Sequence, residues 1–322
     1  MDLRRSINGT TDFPCLGIDE AFLQMEGHSA KCVLIHLFMA FHAAITVFGN
    51  LLVITSILYF RQLHSPTNYL ITSLAVADLL VGTLVYPMTI HSSLTSCVFS
   101  DALLCPVRQV LDVSLCTASI LNLCCISVDR YYAVCEPLRY RVKINDHVVV
   151  LMIAVNWAVS LLIGLCLTTV EIHAPCEGLC VIVVFVRLLG LIIAFYLPMT
   201  VMLSIYLKIF MVAHRQVRSI QVAVLKTSNP TISRMERKAT TTLAVVMGTF
   251  LICWLPFFLY TTLLFVTPVN LLVMEFLNWF ALCNSTLNPF IYGFFYSWFR
   301  SAFRMIIAGK IFKGDFRNSR LQ

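Results

Sequence analysis

Charged residues inside apolar stretches are the feature of this 322-residue sequence that points to chemistry. One such stretch begins near Cys105, contains Asp112 and ends in Asp129-Arg130-Tyr131. As a helix rising about 1.5 Å per residue, the path from Cys105 to Asp129 is roughly 36 Å long. This slightly exceeds a bilayer hydrocarbon core of about 30 Å. Asp112 would lie two turns in, where an ionisable residue normally faces a bundle interior or a wet cavity.

Composition indicates a membrane protein with several spans. The sequence is 59% hydrophobic and 12% charged, whereas soluble domains are about 45–50% apolar and 25% charged. The net charge of +7 is concentrated at Arg139–Lys143, 215–238 and 300–320, as the positive-inside rule expects of cytoplasmic segments. The basic excess therefore indicates topology and contact with anionic lipid, and we expect no nucleic-acid partner.

Seven apolar segments each exceed the roughly 20 residues that a membrane helix needs. An odd number predicts an extracellular N-terminus and a cytoplasmic C-terminus, and we expect a seven-transmembrane-helix bundle, an all-α membrane protein. The tail at 1–31 carries a glycosylation sequon at Asn8, and the region 297–322 predicts an amphipathic helix on the inner membrane surface. Within the seven-span region 32–296, the predicted segments are Val33–Phe60, Thr67–Thr95, about 102–135, His147–Val170, Val181–Leu207, Ala239–Val266 and Val269–Phe295.

Each of the seven apolar segments contains one short motif, and the motifs occur in the same chain order as in a known receptor class. The chain resembles the rhodopsin-like (class A) G-protein-coupled receptors over essentially its whole length. The run from Asn284 to Phe299 and the Cys176-Glu-Gly-Leu-Cys180 segment are similar to the trace amine-associated receptors. The class motifs are Gly49-Asn50, Leu74-Ala-Val-Ala-Asp78, Asp129-Arg130-Tyr131, Trp157, Pro198, Phe250-Leu-Ile-Cys253-Trp254-Leu-Pro256 and Asn288-Pro289-Phe-Ile-Tyr292.

This resemblance implies a ligand site around Asp112, which stands where aminergic receptors hold a ligand ammonium. Aromatic faces near it would add cation–π attraction of about 0.5–2 kcal/mol. The other expected contacts are Arg108, Val113, Cys116, Gly190, Ala194, Trp254, Phe257, Phe258, Asn278, Trp279 and Leu282. The resemblance also implies disulfides that join Cys105 to Cys180 and Cys15 to Cys176.

Two departures from the aminergic pattern keep alternatives open. Leu282 replaces an aromatic that often bonds the aspartate, and Gly190 and Ala194 replace hydroxyl residues. Arg108, at i−4, has the spacing for a helical ion pair with Asp112. The aspartate would then be structural, or the ligand would be acidic or zwitterionic and use Arg108.

Two further polar groups are expected from the same resemblance. Asp78, with Ser119, Asn284, Ser285 and Asn288, could hold an allosteric Na⁺ through hard oxygen ligands or form a hydrated packing network. Arg130 would pair with Asp129 when the receptor is inactive and meet a G protein when it is active, with Glu236 as a second partner. The remaining switch residues are Tyr131, Phe250, Trp254, Pro256 and Tyr292.

The sequence thus predicts a plasma-membrane receptor and no enzyme, because it lacks HExxH, GxSxG, P-loop and GxGxxG motifs. A small amine would bind from outside and shift a two-state equilibrium. The resemblance implies an olfactory role, a stimulatory or olfactory-type heterotrimeric G protein and cyclic AMP. No cofactor other than the Na⁺ is expected. A membrane transporter is the alternative from another class, although no internal repeat is visible.

Overall fold

The computed structural model describes residues 30–95, 104–173, 180–224, 231–263, 270–312 and 316–318. Asn8, Cys15 and Cys176 lie outside these ranges, as do the side chains of Cys105, Cys180 and Glu236. Seven long helices, α1 to α7, run through the described residues, and a shorter helix, α8, follows. Their bounds are α1 Ala30–Tyr59, α2 Pro66–Leu80 with Val81–Val85 and Tyr86–Thr95, α3 Leu104–Cys135, α4 Asp146–His173, α5 Cys180–Leu191 with Ile192–Tyr196 and Leu197–Val224, α6 Thr231–Leu263, α7 Leu271–Phe295 and α8 Ser297–Ile307.

Helices α1 to α6 are each long and apolar enough to cross a membrane. Helix α7 has 25 residues, but polar side chains lower its mean hydropathy. Most of these are buried against the other helices, so they cost little as part of a bundle. The buried polar residues of α7 are Asn284, Ser285, Thr286 and Asn288.

Helix α3 is the centre of the bundle, where it packs against α2, α4 and α5. Gly164 of α4 allows its close approach, because an added Cβ would overlap Ser114 Oγ and lie 2.9 Å from the Val110 carbonyl oxygen. Trp157 of α4 also donates a hydrogen bond from Nε1 to Ser73 Oγ of α2 at 3.0 Å. α3 is thereby held on the side of α2 and α4.

Helix α7 is joined to α1 at its internal proline. Pro289 has no N–H, so the carbonyl of Ser285, four residues earlier, loses its helical partner. Asn50 of α1 donates to this carbonyl from Nδ2 at 3.1 Å. The neighbouring Gly49 makes room, since a Cβ there would lie 3.0 Å from Pro289 Cγ. An asparagine amide thus replaces the missing backbone bond.

Two helices contain a π-helical turn immediately before a proline. In α2 the turn Val81–Val85 precedes Pro87 by one residue, and in α5 the turn Ile192–Tyr196 precedes Pro198 in the same way. A proline ring clashes with the carbonyl four residues earlier, and a wider turn relieves that clash. Both turns lie in the half of the bundle away from α8.

The predicted segments match the helices within about three residues, except in α5 and α6. The basic segment 215–238, expected to be cytoplasmic, is helical for most of its length. Helix α5 continues to Val224 and α6 begins at Thr231. Hydropathy identifies only the part of a helix that lies in lipid, so it does not predict a polar continuation into water. The basic segment Arg139–Lys143 likewise belongs to a short helix, Pro137–Lys143.

Candidate functional site

Asp112 lies on α3, in the half of the bundle away from α8, and is partly exposed. Its Oδ1 accepts a hydrogen bond from Cys116 Sγ at 3.5 Å. No ion pair within 4 Å joins it to Arg108, and both residues belong to the described part of the chain. Cys116 packs against two apolar clusters, one around Tyr86 and Leu282 and the other around Trp254. The carboxylate therefore stands where the two clusters meet.

Aromatic rings of α5 and α6 form the second of these clusters. Phe258 stacks on Phe195 with centroids 3.8 Å apart and lies 5.6 Å from Trp254. Phe257 meets Phe258 edge to face at 5.4 Å. Phe195 was not predicted, although its place beside Pro198 in an apolar segment could have drawn attention to it. The rings give the site a wall that can attract a cation.

Tyr86 of α2 is the main site residue that the sequence interpretation missed. It is fully buried and its ring lies 5.4 Å from Trp279. Leu282, which stands where aminergic receptors often have an aromatic, is buried in the same cluster. An aromatic from α2 therefore occupies part of the space that α7 leaves.

A chain of polar groups holds Tyr86 in place. Its hydroxyl lies 2.5 Å from His42 Nδ1 of α1, which lies 3.4 Å from Thr286 Oγ1 of α7. Thr286 in turn bonds Thr46 at 2.6 Å. His42 was not among the predicted site residues, because the segment Val33–Phe60 was identified by its apolar length alone. An ionisable imidazole inside a span was the signal that could have found it.

The remaining expected ligand residues lie on α3, α5 and α7. Gly190 packs against α4, since a Cβ there would lie 3.0 Å from Leu167. Ala194 is buried within the π-helical turn of α5. Val113 and Asn278 are partly exposed. Arg108 lies near enough to Asp112 and Glu275 to interact electrostatically with both.

Asp78 lies deeper, and its carboxylate is fully buried. Ser119 donates to Oδ1 at 3.0 Å and Asn288 Nδ2 donates to Oδ2 at 2.7 Å. Asn284 and Ser285 are buried beside Asn288 on α7, and among described residues no basic side chain pairs with Asp78. A buried carboxylate without a counter-charge favours a cation or a proton. The oxygens of Asp78 and Ser119 are of the hard type that suits Na⁺.

At the α8 end of the bundle, Asp129 is fully buried and has three partners. Arg130 forms an ion pair with it at 2.7 Å. Thr67 of α2 donates to Oδ2 at 2.9 Å, and Tyr140 of the short helix Pro137–Lys143 donates to Oδ1 at 2.9 Å. Burial, and then the Asp129 charge, raises the pKa of the Tyr140 hydroxyl, which keeps it a donor. Arg130 also donates to Thr67 at 2.7 Å.

The other expected switch residues lie on α3, α6 and α7. Phe250 and Trp254 are buried in the central cluster with Phe195. Tyr292 is buried and stacks on Phe299 of α8 at 5.7 Å. Tyr131 lies under Lys208 Nζ, 5.9 Å from its ring centroid. Pro256 lies inside α6, between Trp254 and Phe257 of the aromatic wall.

Comparison with known proteins identifies the family of this chain. The model of the 7 transmembrane receptor (rhodopsin family) matches residues 49–292. The chain belongs to this family. Trace amine-associated receptor 4 of Mus musculus is 42% identical to the receptor over 309 residues, 89% of this chain and 88% of the mouse protein. Trace amine-associated receptor 1 of Homo sapiens is 40% identical over 294 residues, 84% of this chain and 86% of the human one.

The receptor is thus a G-protein-coupled receptor of the trace amine receptor type and not an enzyme. The family confirms the predicted seven-helix membrane fold. It implies a small-molecule ligand and a heterotrimeric G protein, and it favours the receptor interpretation over the transporter alternative. The receptor is a multi-pass protein, and the family implies the plasma membrane.

Proposed function

We infer that the receptor binds a small amine whose ammonium group pairs with Asp112. The observation that carries this proposal is that the carboxylate of Asp112, a partly exposed residue, has a weak thiol donor, 3.5 Å away, as its hydrogen-bond partner among the described residues. Such a carboxylate keeps most of its accepting capacity for a ligand. The aromatic walls around Trp254 and Trp279 lower the local dielectric, which strengthens a charge pair.

Ligand binding acts on a bundle that is closed at its α8 end. Trp254 touches the aromatic wall and shares a cluster with Phe250 one turn away, so a shift of either ring reaches the middle of α6. Pro256 weakens α6 at this point. The proposed outcome is release of Arg130 from Asp129 and engagement of a stimulatory or olfactory-type G protein, which raises cyclic AMP. Because a G protein binds from the cytoplasm, the C-terminus is cytoplasmic and the N-terminus extracellular in this proposal.

A Na⁺ held by Asp78 and Ser119 would supply the missing counter-charge in the closed bundle. The ion would stabilise the arrangement in which α2, α3 and α7 meet at this layer. The chain's own contribution is to bury the carboxylate and to fix both of its oxygens with donors from α3 and α7.

Replacement of Asp112 tests the ligand proposal. We expect Asp112→Ala to lower amine potency about thirtyfold or more, because the bound ligand would cover the partly exposed Asp112 and loss of one partner of a charge pair buried in this way typically costs at least 2 kcal/mol. The assay is cyclic AMP in cells exposed to primary, secondary and tertiary amines, with surface expression measured in parallel. Asp146→Ala, at the exposed start of α4, is the matched control and should respond like wild type. An unchanged amine response in Asp112→Ala would falsify the ammonium site.

A zwitterionic or acidic ligand is the second candidate, favoured by the position of Arg108 near Asp112 and Glu275. In that case Arg108→Ala should reduce the response to amino acids more than Asp112→Ala reduces it. A biosensor that reports dissociation of each G-protein type separates the ligand question from the choice of G protein.

A further inference from the structure

A groove of about 590 Å³ runs along the outside of the bundle between α1, α7 and α8. Small residues open it: Ala44 and Gly49 on α1 and Gly293 on α7. Large, exposed aromatic side chains border it, with Phe41 65% and Phe294 74% exposed. The surface is therefore concave as well as apolar, unlike a convex helix face in contact with bulk lipid.

Among the described residues that line this groove, Arg300 at its α8 end is the charged one. Its Nη1 donates to the carbonyls of Phe294 at 2.6 Å and Gly293 at 3.4 Å. A guanidinium has five N–H donors, so these bonds leave donors on the other two nitrogens. No carboxylate of the described residues lies within 4 Å of Arg300. A cation thus stands at the end of an apolar channel without an acidic partner from the described part of the chain.

The groove is about as long as the acyl-chain layer of one leaflet. On α1 it extends from Phe41 to Leu52, which is about 16 Å at 1.5 Å per residue, and half of a bilayer hydrocarbon core is about 15 Å. The groove crosses the middle of the α1 membrane span, His36–Tyr59. An acyl chain whose headgroup lies at Arg300 would therefore enter the groove at its Leu52 end and run along α1 toward Phe41.

We propose that this groove binds one anionic phospholipid, with an acyl chain along α1 and the phosphate against Arg300. A second copy of the chain fits less well. A two-fold interface would bring the same α1 and α8 surfaces together, and neither Ala30–Tyr59 nor Ser297–Ile307 contains an acidic residue to meet Arg300. A phosphate provides that charge and pairs bidentately with a guanidinium.

Native mass spectrometry of the purified full-length receptor tests the proposal, with phosphatidylglycerol and phosphatidylcholine added in turn. Wild type should retain one phosphatidylglycerol with about fivefold higher affinity than phosphatidylcholine, because one basic residue attracts a lipid of net negative charge by about 1 kcal/mol and the choline ammonium of phosphatidylcholine cancels the charge of its phosphate. Ala44→Phe, which fills the groove, should lose that lipid. Ala158→Phe, on the exposed side of α4, should keep it.

The charge is tested separately. Arg300→Gln should abolish the preference for phosphatidylglycerol, and Arg300→Lys should retain it even if the bond to Phe294 is weakened. Arg304→Gln, exposed one turn later on α8, should behave like wild type. Equal retention of both lipids by wild type, an undiminished lipid in Ala44→Phe, or a dimer that Ala44→Phe abolishes would each overturn the proposal.

Discussion

Leu282 shows how one substitution changes a binding site without removing it. The sequence has Leu282 at the position of α7 where aminergic receptors often carry an aromatic that bonds the aspartate. Tyr86 of α2 is buried in the cluster that contains Leu282 and lies against Trp279. Its hydroxyl bonds His42 at 2.5 Å. The aromatic volume is present, but its polar group is directed to α1.

This exchange predicts that restoring an aromatic at 282 harms the receptor. Leu282 is fully buried, so Leu282→Tyr overpacks the cluster, at a cost of roughly 1–3 kcal/mol. Thermal unfolding of the purified receptor should show a lower midpoint. Adding Tyr86→Leu should recover most of the loss, because the two side chains share one space. Additive destabilisation in the double variant would contradict a shared cavity.

At the scale of helices, glycine determines how closely two helices approach each other. Gly164 brings α4 against the backbone of α3 at Val110. Gly248 of α6 has nothing within 4 Å of its Cβ position. A Cβ would therefore clash with α3 at Gly164 but would meet no neighbour at Gly248.

These glycines form a matched pair for a stability measurement. Gly164→Ala should lower the unfolding midpoint, because the Val110 carbonyl cannot move without displacing α3. Gly248→Ala should leave it unchanged or raise it, since alanine is favoured over glycine in a helix interior by up to about 1 kcal/mol. The reverse order would mean that the α3–α4 contact is looser than its geometry indicates.

The sequence predicted well those parts of the helices that are apolar, and it predicted their polar continuations less well. All seven segments were located, but α5 and α6 are longer than their apolar runs because a helix does not end where lipid does. The π-helical turns were not predicted, since a proline alone does not tell whether the preceding helix kinks or widens. Asp112 and Asp78 were found because charge inside an apolar stretch is conspicuous. Tyr86 and His42 were missed because their pairing depends on how α1, α2 and α7 meet.

For the whole molecule, the Asp129 group couples three separate elements. Thr67 of α2, Arg130 of α3 and Tyr140 of the short helix all bond one buried carboxylate. The group holds Arg130 beside Asp129 at the α8 end of the bundle. In the proposed switch, its strength helps to set the balance between the paired and the released state of Arg130.

Removal of one donor should shift that balance. Tyr140→Phe deletes a bond to a charged group worth about 1.5 kcal/mol, or a factor of about ten in a two-state equilibrium. Ligand-free cyclic AMP should rise in cells at matched surface expression. Tyr69→Phe is the control, because the Tyr69 hydroxyl forms no hydrogen bond with a described residue. Unchanged basal signalling in Tyr140→Phe would show that Arg130 and Thr67 suffice to hold the end closed.

The wide turn Val81–Val85 has an evolutionary consequence. Each residue added to or removed from a helix rotates everything beyond it by about 100°. A single-codon insertion or deletion in this turn would therefore bring a different residue to the place of Tyr86 opposite Trp279, while Asp78 and the segment before it kept their partners. A one-residue change in the length of α2 is therefore a route by which related receptors can change the shape of this pocket without changing the Asp78 group.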